Sequence, residues 1–438
     1  VLEAFFPITA ILLVSSALAM SIQSRFPPRE GRLLLASFAL HVVFVGLNAY
    51  MIKVIYGRGD PVAFVNQGAM VHEDLLNDPT LLPEVLKMVL GMSFELPSDI
   101  HGGKGSTYTM FGLAALGELF VGTNFFAVHM LYGMLGYFAK VALYTAFRDW
   151  APKQQRPWML VAACFIPSVV FWSAGIIKES LVLDGLALTM FGAWQVSRKR
   201  PMGLLVGGAG VYLVMLIKPF YLLLLVAGAA VQVWWYRSVK NGRVTIKPAS
   251  LVAGILLGAL GLSAIGYVFP KYSLANLGAE AAAYQANGFK EGSSASYYQI
   301  GNPNDTSLTG QLRYAPLGLF TGLYRPGVWE ARNPQMLVNA LETLAFLVFS
   351  IRAIATAGYQ GLLARLVAYP VLMFCLVFAL GSAAATGLTS FNLGSLSRYR
   401  MPLLPFFVFC LVLLNHKLPA RRRVVRTRTT KRRPRRRR

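Results

Sequence analysis

Acidic charge is scarce in this sequence: 42 lysines and arginines stand against only 18 aspartates and glutamates. Charge of either sign makes up 14% of residues, where a soluble chain carries about a quarter. That excludes an ordinary water-soluble globular protein. Cysteine is nearly absent too. Cys164, Cys375 and Cys410 each lie inside an apolar run, with no CxxC and no zinc spacing. They exclude a disulfide framework or structural zinc site and read as small packing residues. The five histidines form no ligand motif: His72-Glu73 does not continue to HExxH, because Leu76 stands in the second histidine's place. The stretch HGGKGST (101–107) fails as a phosphate loop, since Gly105 follows Lys104 where Ser or Thr is required. No cofactor is therefore expected.

What the chain does have is apolar residues, at 55%. They come in runs of sixteen or more that are apolar on all sides, the mark of helices solvated by lipid. The expected fold is an all-α, polytopic transmembrane bundle over 1–419. Its eleven spans are 2–22, 33–56, 124–147, 158–177, 179–196, 202–217, 219–236, 250–269, 336–351, 366–382 and 401–416. The first has no basic stretch ahead of it and reads as a membrane helix, not a signal peptide. Residues 108–122 are apolar enough to tempt an additional span, which would invert everything upstream. They read as an interfacial or re-entrant helix.

Lysine and arginine set the orientation. The short loops 25–32, 148–157, 197–201, 236–247 and 352–365 are all basic. Eleven spans with the N-terminus outside put every one of them, and the C-terminal tail, in the cytoplasm of a cell with a multi-pass inner membrane protein. The tail, 420–438, is a disordered basic segment. Residues 421–438 hold twelve basic residues and no acid, half of the formal charge of +24. A nucleic-acid arm would look like this, but directly after a final apolar helix the expected partners are anionic lipid headgroups, at about 1 kcal/mol per basic residue. Two large segments fall outside the cytoplasm, 57–123 (rich in acids) and 270–335 (rich in aromatics). Transporters keep their loops short, so these point to a site on the outer face.

Ionisable groups within or at the ends of apolar spans are functional candidates by default. Lys178, beside Glu179 in FWSAGIIKES, and Lys218, in LIKPFY, project from the outer ends of helical hairpins, with Asp184 a little over a turn beyond Glu179. A Lys178–Glu179 pair capping the hairpin is the plain alternative. Arg398 and Arg400, in SRYRMPLLPF, stand outside the last span against the positive-inside bias and suit a phosphate or pyrophosphate. The alternative partners are phospholipid headgroups or loop acids. In YRPGVWEARNP, Arg325, Trp329 and Glu330 suit a sugar or acceptor, and equally an interfacial anchor. Asp60, in YGRGDPVAF, follows the second span at once. It is either a turn residue or a carboxylate placed to act as general base or to hold a divalent cation.

GDPVAF with Asp60, FWSAGIIKES, LYRPGVWEARNP followed by LVNALE, and above all SRYRMPLLPF together resemble the GT-C superfamily of membrane glycosyltransferases and the related exopolysaccharide and O-antigen polymerases. The resemblance covers about a third of the chain. It differs from the common GT-C plan in placing the acidic loop after the second span. It implies transfer of a sugar from a polyprenyl-phosphate- or pyrophosphate-linked donor on the outer face. Asp60 would then be the base, and Arg398, Arg400, Lys178 and Lys218 the groups that neutralise the departing phosphate. The competing class is a flippase for lipid-linked oligosaccharide that binds the same phosphate without cleaving anything.

Overall fold

The computed structural model describes residues 2–92, 94–97, 100, 105–240, 243–244, 273, 275–290, 296–302 and 304–416, with scattered positions between 252 and 270. Its regular structure is helical apart from a two-rung hairpin pairing Val239–Lys240 with Arg243–Val244. Among the described residues, seven helical stretches are long and apolar enough to cross a membrane: Ala4–Gln23, Pro28–Tyr56, Phe125–Trp150, Phe220–Ser238, Pro334–Ala368, Val371–Thr389 and Leu393–Asn415. The chain is a helical membrane protein. The basic tail lies outside the described residues, as do most of the expected span 250–269 and residues 101–104.

The chain begins with α1 (Leu2–Gln23) and α2 (Pro28–Tyr50), the latter running on through a π-helical turn, Met51–Tyr56. Gly57 at φ 65° and Gly59 at φ 132° then turn the backbone through conformations that favour glycine. Asp60 opens α3 (Asp60–Asn77), with Pro61 in the first turn. The acidic segment is thus not a loose loop. It holds α3, α4 (Leu82–Val89) and α5 (Ser106–Val121), the last matching the helix expected over 108–122.

Helix α6 (Phe125–Trp150) is the hub. It packs against α1, α2 and α5, and against α7 (Arg156–Cys164) and α9 (Lys178–Ser197). Leu143, Tyr144, Ala146 and Phe147 are wholly buried. The span expected over 158–177 is broken into α7 and α8 (Pro167–Trp172). Pro167 lacks an N–H and disfavours helix at the residue before it, and Ile166 is accordingly extended. The connection expected at 352–365 is helical except at Gly358 (φ 59°, ψ 177°), where the chain breaks and the stretch Pro334–Ala368 divides into two helices.

Helices α9 and α10 (Met202–Ile217) form a tight antiparallel hairpin. Glycines on both faces, Gly185 and Gly192 against Gly203, Gly207 and Gly210, let the backbones meet. A Cβ on Gly192 would lie 2.4 Å from the Gly207 Cα. The hairpin returns the chain so that the start of α9 faces the end of α10. Gly192→Ala should lower stability by about 1–3 kcal/mol through overpacking. Gly208→Ala, where a Cβ meets nothing within 4 Å, should be near neutral. Thermal midpoints in detergent would separate the two.

Candidate functional site

Five segments that are far apart in sequence converge at one end of the bundle. They are the starts of α3, α5 and α9, the residues just after α10, and the stretch ahead of the last helix. Helix α10 is followed by α11 (Phe220–Ser238), which begins beside Lys218, and by α12 (Leu277–Lys290) in the segment 270–335. That segment continues through α13 (Leu308–Leu312) and α14 (Ala315–Tyr324). Then come α15 (Pro334–Ala368), α16 (Val371–Thr389), α17 (Leu393–Tyr399) and α18 (Leu404–Asn415).

At the centre is Glu179, in the first turn of α9, where a carboxylate is favoured by the helix dipole. Its side chain is only 2% exposed. Lys218 Nζ donates to Glu179 Oε1 at 2.6 Å. Arg398 Nε lies 3.3 Å from Glu179 Oε2, an ion-pair distance at which neither atom is aligned for a hydrogen bond. The other edge of the same guanidinium reaches Asp60, with Nη1 2.9 Å from Oδ2. Arg398 therefore bridges the two acids. Lys178 takes a different partner from the one its neighbour in sequence offers: its Nζ donates to Thr107 Oγ1 at 2.7 Å. Among the described residues no carboxylate lies within ion-pair distance of it. Aromatic faces line the group. Tyr399 lies under Lys218 (4.5 Å) and Arg398 (5.1 Å), and Phe64 lies 5.8 Å from Lys178. With every group ionised, three cations face two carboxylates, leaving one positive charge in excess. Asp60 keeps half of its side chain exposed and Arg398 a fifth.

No protein-family model, curated protein or solved structure matches this chain.

Of the residues picked out from sequence, Asp60, Lys178, Lys218 and Arg398 are brought together. Arg400 is not. Its side chain is wholly buried, with Nη1 donating to the Arg325 carbonyl at 2.6 Å and Nη2 3.6 Å from Glu342 Oε1. Glu342 in turn accepts from the Ser168 N–H at 2.9 Å and the Ser168 hydroxyl at 2.6 Å. Arg400 thus ties the last helices to α8, α15 and the Arg325 backbone, two residues away from Arg398 and pointing elsewhere. Arg325 and Glu330 form a third group. Arg325 Nε donates to both Glu330 oxygens at 3.0 and 3.2 Å, the Gly327 N–H donates at 2.7 Å, and the Arg325 guanidinium sits 4.6 Å over Tyr298. Trp329 is 89% exposed, with its ring lying over Gly327. No group of three or more potential metal ligands occurs among the described residues.

A buried polar cradle seats the connection that presents Lys178 and Glu179. Lys140, inside α6 and 1% exposed, donates to Ser173 Oγ at 2.6 Å and lies 3.0 Å from His41 Nδ1. His41 Nε2 is 2.8 Å from the Gly133 carbonyl. The proton on this ring thus belongs on Nε2, leaving Nδ1 to accept from Lys140. Asn48 Nδ2 donates to the Phe171 carbonyl at 3.1 Å, and its Oδ1 lies 2.9 Å from His129 Nε2. The His129 ring fills the space above Gly175, where a Cβ would come within 2.0 Å of it. Sequence reasoning missed Lys140, His41 and His129. The signal was present, since a lysine inside an apolar run is costly unless partnered.

Glu179→Gln would leave Lys218 and Arg398 without their shared counter-charge, at a cost of about 3–5 kcal/mol. Removing Lys218 in the same chain (Lys218→Met) should recover part of that loss in a thermal-unfolding cycle. For Glu330, partial burial raises the carboxyl's pKa, but the Arg325 hydrogen bond and the Gly327 N–H outweigh it and hold the group below the ordinary carboxylate range. Its stabilising effect is present above the unfolded glutamate value, about 4.3, and is lost as pH falls through the lower folded value. Glu330→Gln should therefore flatten the fall of the thermal midpoint in that acid range.

Proposed function

We propose that this protein is a membrane glycosyltransferase or polysaccharide polymerase of the GT-C kind. It transfers sugar from a polyprenyl-phosphate- or pyrophosphate-linked donor at the outer face of the cytoplasmic membrane, in the assembly of a cell-envelope glycan. The single observation that carries this reading is the cluster in which Arg398 bridges Asp60 and Glu179, flanked by Lys218 and Lys178.

The chemistry is a displacement at the anomeric carbon. An acceptor hydroxyl oxygen forms the new C–O bond as the bond to the donor's phosphate oxygen breaks, and the phosphate leaves with the electron pair. Asp60, half exposed at the mouth of the cluster, takes the hydroxyl proton. Negative charge grows on the leaving phosphate, and the excess cationic charge of Lys178, Lys218 and Arg398 is placed against it. Such fixed charge contributes most where water is excluded. Lys178 has only a hydroxyl partner and so gives up least on binding phosphate. Glu179 is committed to Lys218 and Arg398 and serves to hold them in position. Arg325 and Glu330, with the exposed ring of Trp329, are assigned to the sugar or acceptor, since aromatic faces and carboxylates suit pyranose surfaces and hydroxyls. Arg400 takes no part in phosphate binding, because its guanidinium is buried against Glu342.

A second reading is favoured by a separate observation. Lys140 contacts His41 in the middle of the bundle, and Asp184 Oδ1, buried nearby on α9, has no hydrogen-bond partner. Ionisable groups in such a place occur along proton paths and would suit a proton-driven flippase for lipid-linked oligosaccharide.

One assay separates the two: protein in proteoliposomes with polyprenyl-linked sugar donors, with release of polyprenyl phosphate or pyrophosphate followed. The unaltered chain should release it. Asp60→Asn should lower turnover by about 10²–10⁴-fold and Arg398→Lys by about 10²–10³-fold, both at unchanged thermal stability of the α9–α10 hairpin. Movement of intact glycolipid under a pH gradient, with nothing released, would establish the flippase instead.

A further inference from the structure

An apolar groove of about 800 Å³ runs down the face of the bundle between α7, α15 and α18. Its walls are Trp158, Leu341, Phe346, Phe349, Leu411 and Val412, among others. Along α15 it extends from Val338 to Arg352, about 21 Å at the helical rise. Trp158, Leu341 and Phe349 are 57%, 53% and 45% exposed, so the groove opens sideways. Apolar walls that open sideways from a helical membrane bundle face lipid, and flexible hydrocarbon chains match their chemistry.

The two ends of the groove differ. One closes at Pro167 and Glu342, and Glu342 is already engaged by Ser168 and Arg400. The other opens at Arg352, Asn415, His416 and Gln155, with Gln155 Nε2 2.9 Å from His416 Nδ1. Arg352 is exposed and its side chain has no carboxylate partner among the described residues. Arg365 donates to the carbonyl of His416, which also lines this end of the groove, and to that of Gly361. The mouth is therefore cationic and uncompensated, with Trp158 at its rim as an aromatic residue suited to the headgroup level.

We infer that this groove binds an anionic diacyl phospholipid, its acyl chains along the apolar walls and its phosphate at Arg352. The lipid-linked sugar donor is not the occupant. Arg352 lies ten residues beyond Glu342 on α15, about 15 Å along the helix, while the Arg398 cluster lies on the far side of the Glu342–Arg400 pair. A donor with its phosphate at the cluster cannot also place it at Arg352. The site is independent of any sugar chemistry, and its test contains no sugar donor.

Trp158 supplies the probe. The full chain is reconstituted in phosphatidylcholine bilayers containing dibrominated phosphatidylglycerol or dibrominated phosphatidylcholine. The Trp158 signal is the difference between the unaltered chain and Trp158→Phe. Brominated phosphatidylglycerol should quench it about fivefold more effectively at equal mole fraction, as expected for one arginine at an anionic headgroup. Arg352→Gln should bring that preference below twofold, and Arg352→Lys should keep it. Equal quenching by the two lipids, or a preference that survives Arg352→Gln, overturns the inference. So does displacement of brominated phosphatidylglycerol by an equimolar polyprenyl phosphate, which would make the groove a donor site.

Discussion

Glu179 is the point on which the candidate site depends. A carboxylate only 2% exposed within a helical bundle is costly unless its charge is met, and here it is met twice, by Lys218 and Arg398. Those two residues come from different parts of the chain, one after α10 and one in α17. Their attraction to a common acid draws the two segments to the start of α9. Arg398, held from one side by Glu179, is then placed to reach Asp60 at the start of α3. The charges in the group are close to balanced, and the small excess is positive. An arrangement of that kind is stable without a ligand and attracts an anion.

Beneath this knot lies a second layer that carries no substrate chemistry in the proposed reaction. The connection between α8 and α9 is seated on α6 by a hydrogen bond from Lys140 and by the His129 ring over Gly175, and Asn48 of α2 holds the end of α8 just before it. Polar groups at this depth are expensive, and their partners are specific. They set where the connection runs, and so where Lys178 and Glu179 emerge. The same logic accounts for Arg400, whose buried pairing with Glu342 joins the last helices to α8 and α15. Two arginines separated by one residue have opposite duties because only one of them opens towards the mouth of the cluster.

The glycine-lined hairpin of α9 and α10 supplies the geometry for both layers. Close approach of the two backbones is possible only where side chains are absent, and it lines up the start of one helix with the end of the next. Elsewhere α15 packs on α18, with Asn415 donating to the Phe349 carbonyl at 3.1 Å, and the apolar groove runs beside that contact with the broken path through α7 and α8 as its third wall. Pro167 is responsible for that break. One proline therefore shapes both the groove and the entry to the α9–α10 hairpin.

Much of this was legible in the residues alone. Long apolar runs and scarce charge determined an all-helical membrane protein, because lipid offers no partner to an unpaired backbone group and helices satisfy their own. Charged residues near the ends of those runs marked Asp60, Lys178, Lys218, Arg398 and Arg400 as candidates, because such charges are costly to keep there, and the fold brings the first four of them together. What the sequence could not decide was partnership. Lys178 adjoins Glu179 yet bonds Thr107 from 71 residues away, Glu179 turns to Lys218 and Arg398, and Arg400 departs from Arg398 to meet Glu342. Along a helix, neighbours in sequence point about 100° apart, so adjacency carries little information about contact. Which charges meet depends on which helix ends the fold brings to one side, and that was settled only by the packing of α6, the glycine hairpin and the buried bonds that hold them.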